Sequence, residues 1–351
     1  MRDVMSEVRR RAVRYLDGVN GRPVVPSSQA IARLKELDVP FPEESSAPLD
    51  VLRELDEIGS PATVATTGGR YFGFVTGGSL PAAVGASVLA TAWDQNAVLG
   101  AQGWDVEAAG LFGAPPVSVI VGEAGNVNTG AFDPVGAIGG AAKARGAWVH
   151  VDGAFGLWAA AAPARRHLTA DFEIADSWAT DAHKWLNVPY DSGLVFVREA
   201  GHLRAAMSAS AAYLLEGDRR EPSHFVPEMS RRARGVEIWA ALRSLGRAGL
   251  ADLVERSCRH AGHFAEGLRT AGYQVLNQVD LNQVLVSFGD DDTTGRVIRR
   301  VQEDGTCWCG STVWRGRAAM RISVSCWATA EEDVRRSLEA ILRIAAAEGS
   351  R

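Results

Sequence analysis

An α/β fold is what the sequence predicts: a mainly parallel sheet with helices on both faces, plus a smaller C-terminal α+β domain. Three observations carry this. Apolar, β-branched runs alternate with helix-like segments between about Val117 and Arg198, the pattern of a buried parallel sheet. Residues 1–60 are helical and punctuated by proline. After about Arg232 the pattern shifts to one or two long helices followed by isolated strands. A chain of 351 residues is long enough for such a two-part body. The expected organisation is a helical arm at 1–65, a large domain at 66–234 and a small domain at 235–351.

The arm opens with MRDVMSEVRRRAVRYL, an amphipathic helix of mixed charge running to about Asp17. It has no apolar core of the kind a secretory leader carries, so a cytoplasmic chain is expected. GRPVVPSS is a turn, a second helix spans about Ser28 to Leu37, and LDVLRELDEIG is a third. GGRYFGFVTGGSLP, rich in glycine and aromatics, leads into a helix of small residues. VSVIVGE reads as a strand buried on both faces, DPVGAIGGAAKARG as a helix, and AWVHVD as a second buried strand. A helix around APARRHLT, the short strand DSWATD and the strand SGLVFVR follow. In the last third, GVEIWAALRSLGRAGLADLVERSCRHAGHFAEGLRTAG is helical, QVLVSFG and AAMRISV are strands, and EEDVRRSLEAILRIAAA closes with a helix.

Composition excludes several classes. Hydrophobic residues make up 46% and charged residues 23%, ordinary for a globular chain. The net charge of −5 gives no support to nucleic-acid binding. No apolar run approaches a membrane span. Cys258, Cys307, Cys309 and Cys326 lack the spacing of a zinc site and read as reduced thiols, so no metal is expected.

The 37 basic residues include only three lysines, Lys35, Lys143 and Lys184. Arginine stays protonated, whereas lysine can lose its proton and act as a nucleophile. Lys35 and Lys143 lie on plausible solvated helix faces. Lys184, in TDAHKWLNVPY, sits among aromatic and apolar residues.

In open parallel sheets, ligands sit at the carboxyl ends of strands. Two such ends carry suitable groups. In HVDGAFG, His150 and Asp152 fall on one side of the strand, and Asp152 ends an apolar run, which predicts a poorly solvated carboxylate. His150 reads as mainly structural. In TDAHKW, His183 and Lys184 follow a short strand. Together these meet the needs of pyridoxal 5'-phosphate: a lysine for the Schiff base, an acid for the pyridine nitrogen and a small residue, Ala154, beside the ring. Singly, each has a structural reading. Asp152 could cap a helix or pair with a cation, and His183 could be a satisfied structural histidine.

HVDGAFG followed by DSWATDAHKWLNVPYDSG resembles the group II pyridoxal-phosphate-dependent amino-acid decarboxylases, the family of aromatic-amino-acid and glutamate decarboxylases. NTGAFDP (residues 128–134) and RYFGFVTGG (residues 70–78) extend the resemblance, as does AMRISVSCWATAEEDV more weakly. The resemblance implies the fold-type I, aspartate-aminotransferase-like architecture and a homodimer with active sites near the interface. It implies catalytic roles for Lys184, Asp152 and His183, with Ala154 and Asn128 as further cofactor contacts. Phe74 and Gly77 would border the substrate pocket. The implied activity is decarboxylation of an L-amino acid through a Lys184 Schiff base.

The chain departs from the family pattern in two ways. It lacks the Gly/Ser/Thr-rich turn that holds the cofactor phosphate, where AWDQN runs directly into AVLGAQGWDVEAAG, and the ring-stacking histidine expected between Val121 and Asn128. Thr76, Gly77 and Gly78 are the only replacements for that cup. The loop LLEGDRREPSHFVPEMSRR carries no tyrosine to reprotonate the product. His224 or Phe225 sits there instead, with Tyr213 just upstream. Phenylalanine at that place would favour an aldehyde synthase or other lyase. The missing cup would suit a non-catalytic relative.

Overall fold

The computed structural model describes residues 1–38, 47–93, 119–208, 221–228 and 231–349. The arm folds as three helices, α1 (Arg2–Gly18), α2 (Ser28–Arg33) and α3 (Pro48–Gly59). Ser27 starts α2 by accepting the Ala30 N–H at 3.1 Å, and Pro48 opens α3, where its missing N–H costs nothing. The buried Arg11 of α1 donates to Asp56 of α3 at 2.7 Å and to Glu7 at 2.6 Å, which ties the two helices together. Val51, Leu55 and Ile31 stay exposed on this arm.

The main sheet has the order β2-β3-β4-β5, from β2 (Val119–Glu123), β3 (Trp148–Asp152), β4 (Ser177–Asp181) and β5 (Gly193–Val197). The first three strands are parallel, and β5 is antiparallel to β4 because the short turn carrying Lys184 brings the chain straight back. The helix α5 (Val135–Lys143) connects β2 to β3 and buries Val135 and Ala142 against Val149, Val151 and Phe172.

Two local expectations are corrected here. VSVIVGE is not buried on both faces: Val119, Ile120 and Val121 are 56%, 38% and 56% exposed. An apolar run reports β propensity and not which neighbours cover it, and β2 ends the described sheet. APARRHLT forms no α-helix. Arg166–Thr169 is a single 3-10 turn, one of three such turns between Gly156 and Ile174.

The second sheet has the order β1-β8-β9-β7-β6. Its strands are β1 (Tyr71–Phe72), β6 (Gln274–Val275), β7 (Gln283–Ser287), β8 (Trp308–Trp314) and β9 (Arg317–Ser323). Strand β1, distant in sequence, pairs with Trp308 and Cys309. Helices α8 (Asp291–Asp304) and α9 (Glu331–Gly349) pack on this sheet around Phe72, Phe264, Val286, Met320, Ile322 and Ile341. Two further helices, α4 (Pro81–Trp93) and α6 (Ala200–Met207), complete the larger unit. The helix α7 (Gly235–Thr270) joins the two units and bends at Gly246, whose φ of 61° is a left-handed conformation that glycine takes without steric cost.

All four cysteines are buried and unpaired. Burial raises the thiol pKa values of Cys258 to about 12 and Cys326 to about 11, so both stay protonated. No helix among the described residues is long and apolar enough to cross a membrane.

Two histidines make the fold acid-sensitive. Burial lowers the pKa of His150, which bonds Ser177 Oγ at 2.7 Å, and of His260, which is 4% exposed on α7. A histidine held neutral in the folded state gains its proton on unfolding, once the pH drops below about 6.5. Stability is therefore complete above that pH and declines as the pH falls through it. Urea midpoints at pH 7.5 and 5.5 should differ, and the difference should shrink in His260→Gln.

Candidate active site at the ends of β3 and β4

The turn carrying Lys184 is held from both sides. Trp185 is fully buried among Phe155, Ala159, Val254 and Leu281, and its indole N–H donates to Ser257 of α7 at 3.1 Å. Asn187, also fully buried, donates to the Trp185 and Ser325 carbonyls at 2.7 and 3.0 Å and accepts the Trp327 N–H at 2.8 Å. The lysine is thus pinned between α7 and the loop after β9. Gly77 lies flat against this turn, where a Cβ would overlap the Lys184 carbonyl and press on Asn187, so only glycine fits.

Lys184 Nζ lies 3.0 Å from Asp181 Oδ2, and both side chains are about a quarter exposed. Among the three lysines this setting is distinct: Lys143 pairs with Asp176 at the far end of the strands, and Lys35 is exposed on the arm. His183 Nδ1 sits between the backbone N–H and carbonyl of Ser192, at 3.0 and 2.9 Å. Its ring packs against Tyr190 at a tilt of 35°, with centroids 4.6 Å apart. Ser192 Oγ is buried without a hydrogen-bond partner among the described residues.

Asp152 ends β3 beside Ala179 of β4. The Ala154 carbonyl accepts the Asp181 N–H at 2.8 Å, which joins the two strand ends and brings Asp152, Ala154, His183 and Lys184 to one edge of the sheet. One expectation is corrected. The Asp152 carboxylate is exposed, not poorly solvated, and its contact is the Ala154 N–H at 3.1 Å. An apolar run predicts the burial of a strand's faces but not of its end.

A second group gathers on the C-terminal sheet. Phe74 and Val75 have φ of 53° and 58°, strained for side chains of this size and costing roughly 1–3 kcal/mol each. The strain turns Phe74 outward, 61% exposed, onto Trp308 at 5.7 Å, while Tyr71 stacks on Trp308 at 5.2 Å. Burial, with Tyr190 nearby, raises the Tyr71 pKa to about 12. The Arg321 guanidinium lies over the Phe74 ring at 5.9 Å and donates to the Val127 carbonyl at 3.2 Å. Arg321 is 8% exposed, its Nε has no partner, and no carboxylate pairs with it among the described residues; burial lowers its pKa. Asn128 accepts a hydrogen bond from Thr312 at 2.9 Å, which places it beside this group. Thr76 and Gly77 link the two groups.

The sequence reading missed Arg321, Trp308 and Tyr190. The signal for Arg321 was an arginine inside the otherwise apolar run AAMRISV. Phe225 packs with Leu203, Val197 and Met207 beyond β5, and His224 closes a 3-10 turn beside it. Tyr213 and the segment from Asp94 to Ser118, where the phosphate turn was sought, lie outside the described residues.

Residues 106–289 match the family model described as the pyridoxal-dependent decarboxylase conserved domain. The chain is 26% identical over 222 residues to an aromatic-L-amino-acid decarboxylase of Drosophila lebanonensis, covering 62% of this chain and 55% of that protein. It is 33% identical over 145 residues to tyrosine/DOPA decarboxylase 1 of Papaver somniferum, covering 40% of this chain and 28% of that protein. The chain therefore spans about half or less of the curated relatives it matches. Its fold matches the crystal structure of Oryza sativa TDC with PLP and tryptamine at a TM-score of 0.88 and 17% identity, covering 99% of this chain and 97% of that one. Mouse CSAD matches at 0.87 and 15% identity, with 98% of each chain covered. These likenesses establish the fold-type I architecture, and with more than half of its length matching the family model, the chain belongs to the pyridoxal-dependent decarboxylase family.

Proposed function

We propose that this protein is a carboxy-lyase that removes the α-carboxylate of an amino acid with pyridoxal 5'-phosphate as cofactor. The observation that carries the reading is the position of Asp152 at the end of β3 and of Lys184 in the turn just after β4, the neighbouring parallel strand. The residues fit the cofactor's ring end: a half-buried lysine, an acid in the open, the small Ala154, and a buried Ser192 hydroxyl with a bond to spare. When bound, the cofactor supplies an electron sink for the pair left by the breaking carbon–carboxylate bond.

Each residue then has a task. Lys184, paired with Asp181, would hold the cofactor through its aldehyde carbon. Asp152 would keep a proton at the pyridine nitrogen. His183, oriented by Ser192, would contact the cofactor beside the lysine. Arg321, a buried cation with an unused donor, offers a seat for a substrate carboxylate. Asn128 and Phe74 border that seat. Phe225 is occupied by apolar packing, so its placement gives no support to aldehyde formation.

The exposed Val51, Leu55 and Ile31 of the arm support a homodimer, and the four unpaired cysteines support a cytoplasmic setting. We divide the chain into the arm (1–65), the cofactor domain (66–234) and the small domain (235–351), with β1 crossing into the last.

The test is borohydride reduction with added pyridoxal phosphate, followed by peptide mass mapping and an amino-acid panel for carbon dioxide release. The expected result is one phosphopyridoxyl adduct, on Lys184, and release from at least one amino acid. A folded protein without that adduct overturns the reading.

A further inference from the structure

An ammonium ion has no free electron pair, so a lysine attacks a carbonyl only after a base has taken one proton from its nitrogen. Among the described residues Lys184 Nζ has one polar partner, Asp181 Oδ2 at 3.0 Å. Asp181 is the last residue of β4, and Lys184 follows three positions later in the turn. The turn therefore folds the amine back onto the carboxylate.

The backbone of Asp181 is fixed while its carboxylate is left free for this contact. The Asp181 N–H donates to the Ala154 carbonyl at 2.8 Å. The Asp181 carbonyl accepts the Lys184 N–H at 3.3 Å and the Trp158 indole N–H at 3.4 Å. Across the strand pair stands Gly193, where a Cβ would lie 3.3 Å from Asp181 Oδ1, so glycine leaves the carboxylate its room. Among the described residues the carboxylate has no partner besides Lys184. Both side chains are about a quarter exposed, which leaves the nitrogen open to an incoming carbonyl. The other candidate bases at this edge are turned elsewhere. Asp152 accepts the Ala154 N–H at 3.1 Å, and His183 Nδ1 sits between the Ser192 N–H and carbonyl.

We propose that Asp181 is the catalytic base and acid through which Lys184 bonds a carbonyl carbon, an inference that rests on the pyridoxal-phosphate reading above. The Lys184 ammonium gives one proton to the Asp181 carboxylate, and the freed electron pair bonds to the aldehyde carbon. The carbonyl π pair moves to the oxygen, which takes the proton from Asp181. A second nitrogen proton then passes through the carboxylate to the same oxygen. The carbon–oxygen bond breaks, water leaves, and the nitrogen electron pair completes the C=N bond. The nitrogen keeps one hydrogen and the positive charge, opposite a carboxylate that is unchanged overall.

The test follows capture of pyridoxal phosphate by the cofactor-free chain, with borohydride trapping at timed intervals and mass mapping of Lys184, and needs no turnover. Asp181→Ala and Asp181→Asn should form the Lys184 adduct at least about 100-fold more slowly than the wild type, the usual weight of a positioned acid–base group. Both should keep the unfolding midpoint, because the pair lost is part-exposed and the backbone bonds remain. Formate, a carboxylate small enough for the space left by Asp181→Ala, should restore its rate in a concentration-dependent way. It should leave Asp181→Asn slow, where the amide fills that space. Asp181→Glu should fall between. A carboxylate acting only as counter-ion predicts the opposite sign, since its removal frees the amine and speeds capture. Capture by Asp181→Ala at or above the wild-type rate, or slow capture that formate does not restore, would overturn the proposal. Failure of the underlying reading is seen separately, as a folded wild-type chain that forms no Lys184 adduct at any time.

Discussion

Lys184→Ala should lose the borohydride-trapped adduct entirely, and carbon dioxide release should fall on the order of 10³-fold or more. The size follows from the role proposed for the amine. A covalent anchor holds the reacting groups together and replaces a bimolecular encounter with a fixed geometry, an advantage that reaches many kcal/mol. The fold should survive. The pair broken, Lys184 with Asp181, is part-exposed, and such pairs contribute about 0–1 kcal/mol. Trp185 and Asn187, which hold the turn, are untouched. Lys184→Arg sharpens the test, because arginine keeps the charge opposite Asp181 but cannot lose its proton to attack an aldehyde. It should be as inactive as the alanine variant. Release of carbon dioxide at the wild-type rate by either protein would remove lysine from the chemistry.

The prominence of Lys184 could be read from the sequence because two signals coincided. Lysine is scarce in a chain that uses arginine for ordinary charge, and this one follows a strand close to another strand ending in an acid. The strands β2 to β5 and the helix between β2 and β3 were legible for the same reason, since periodicity is local. Features set by distant neighbours were not. The exposure of Val119, Ile120 and Val121 depends on what lies beside β2. The exposure of Asp152 depends on what closes over a strand end. β1 is two residues long and exists only because Trp308 and Cys309 pair with it from more than 200 positions away. Arg321 looks like any strand residue until the fold leaves its Nε without a partner among the described residues, and Phe74 gains its place from a left-handed backbone that no composition signals. Half of the candidate site was therefore visible as motif. The half contributed by the C-terminal sheet required the tertiary structure.

Asp152→Asn separates chemistry from folding more cleanly than any other substitution here. The side chain is exposed, and the Ala154 N–H that it accepts at 3.1 Å can be accepted equally by an amide oxygen. Its effect on stability should therefore stay within about 0.5 kcal/mol, as for surface positions with little to lose. Its effect on turnover should not be small. In the proposed role Asp152 would fix a proton on the pyridine nitrogen by carrying the opposite charge, which a neutral amide could not do. Removing one preorganised electrostatic group from a reacting centre typically costs about 10²–10³ in rate. The Asp152→Asn protein should keep its unfolding midpoint and still show the Lys184 adduct, while carbon dioxide release drops by that factor. Asp152→Glu, which keeps the charge but displaces it, should fall between. Were Asp152→Asn to turn over like the wild type, the acid at the end of β3 would be a structural neighbour of the site, and the pairing of Asp152 with Lys184 would no longer argue for this cofactor.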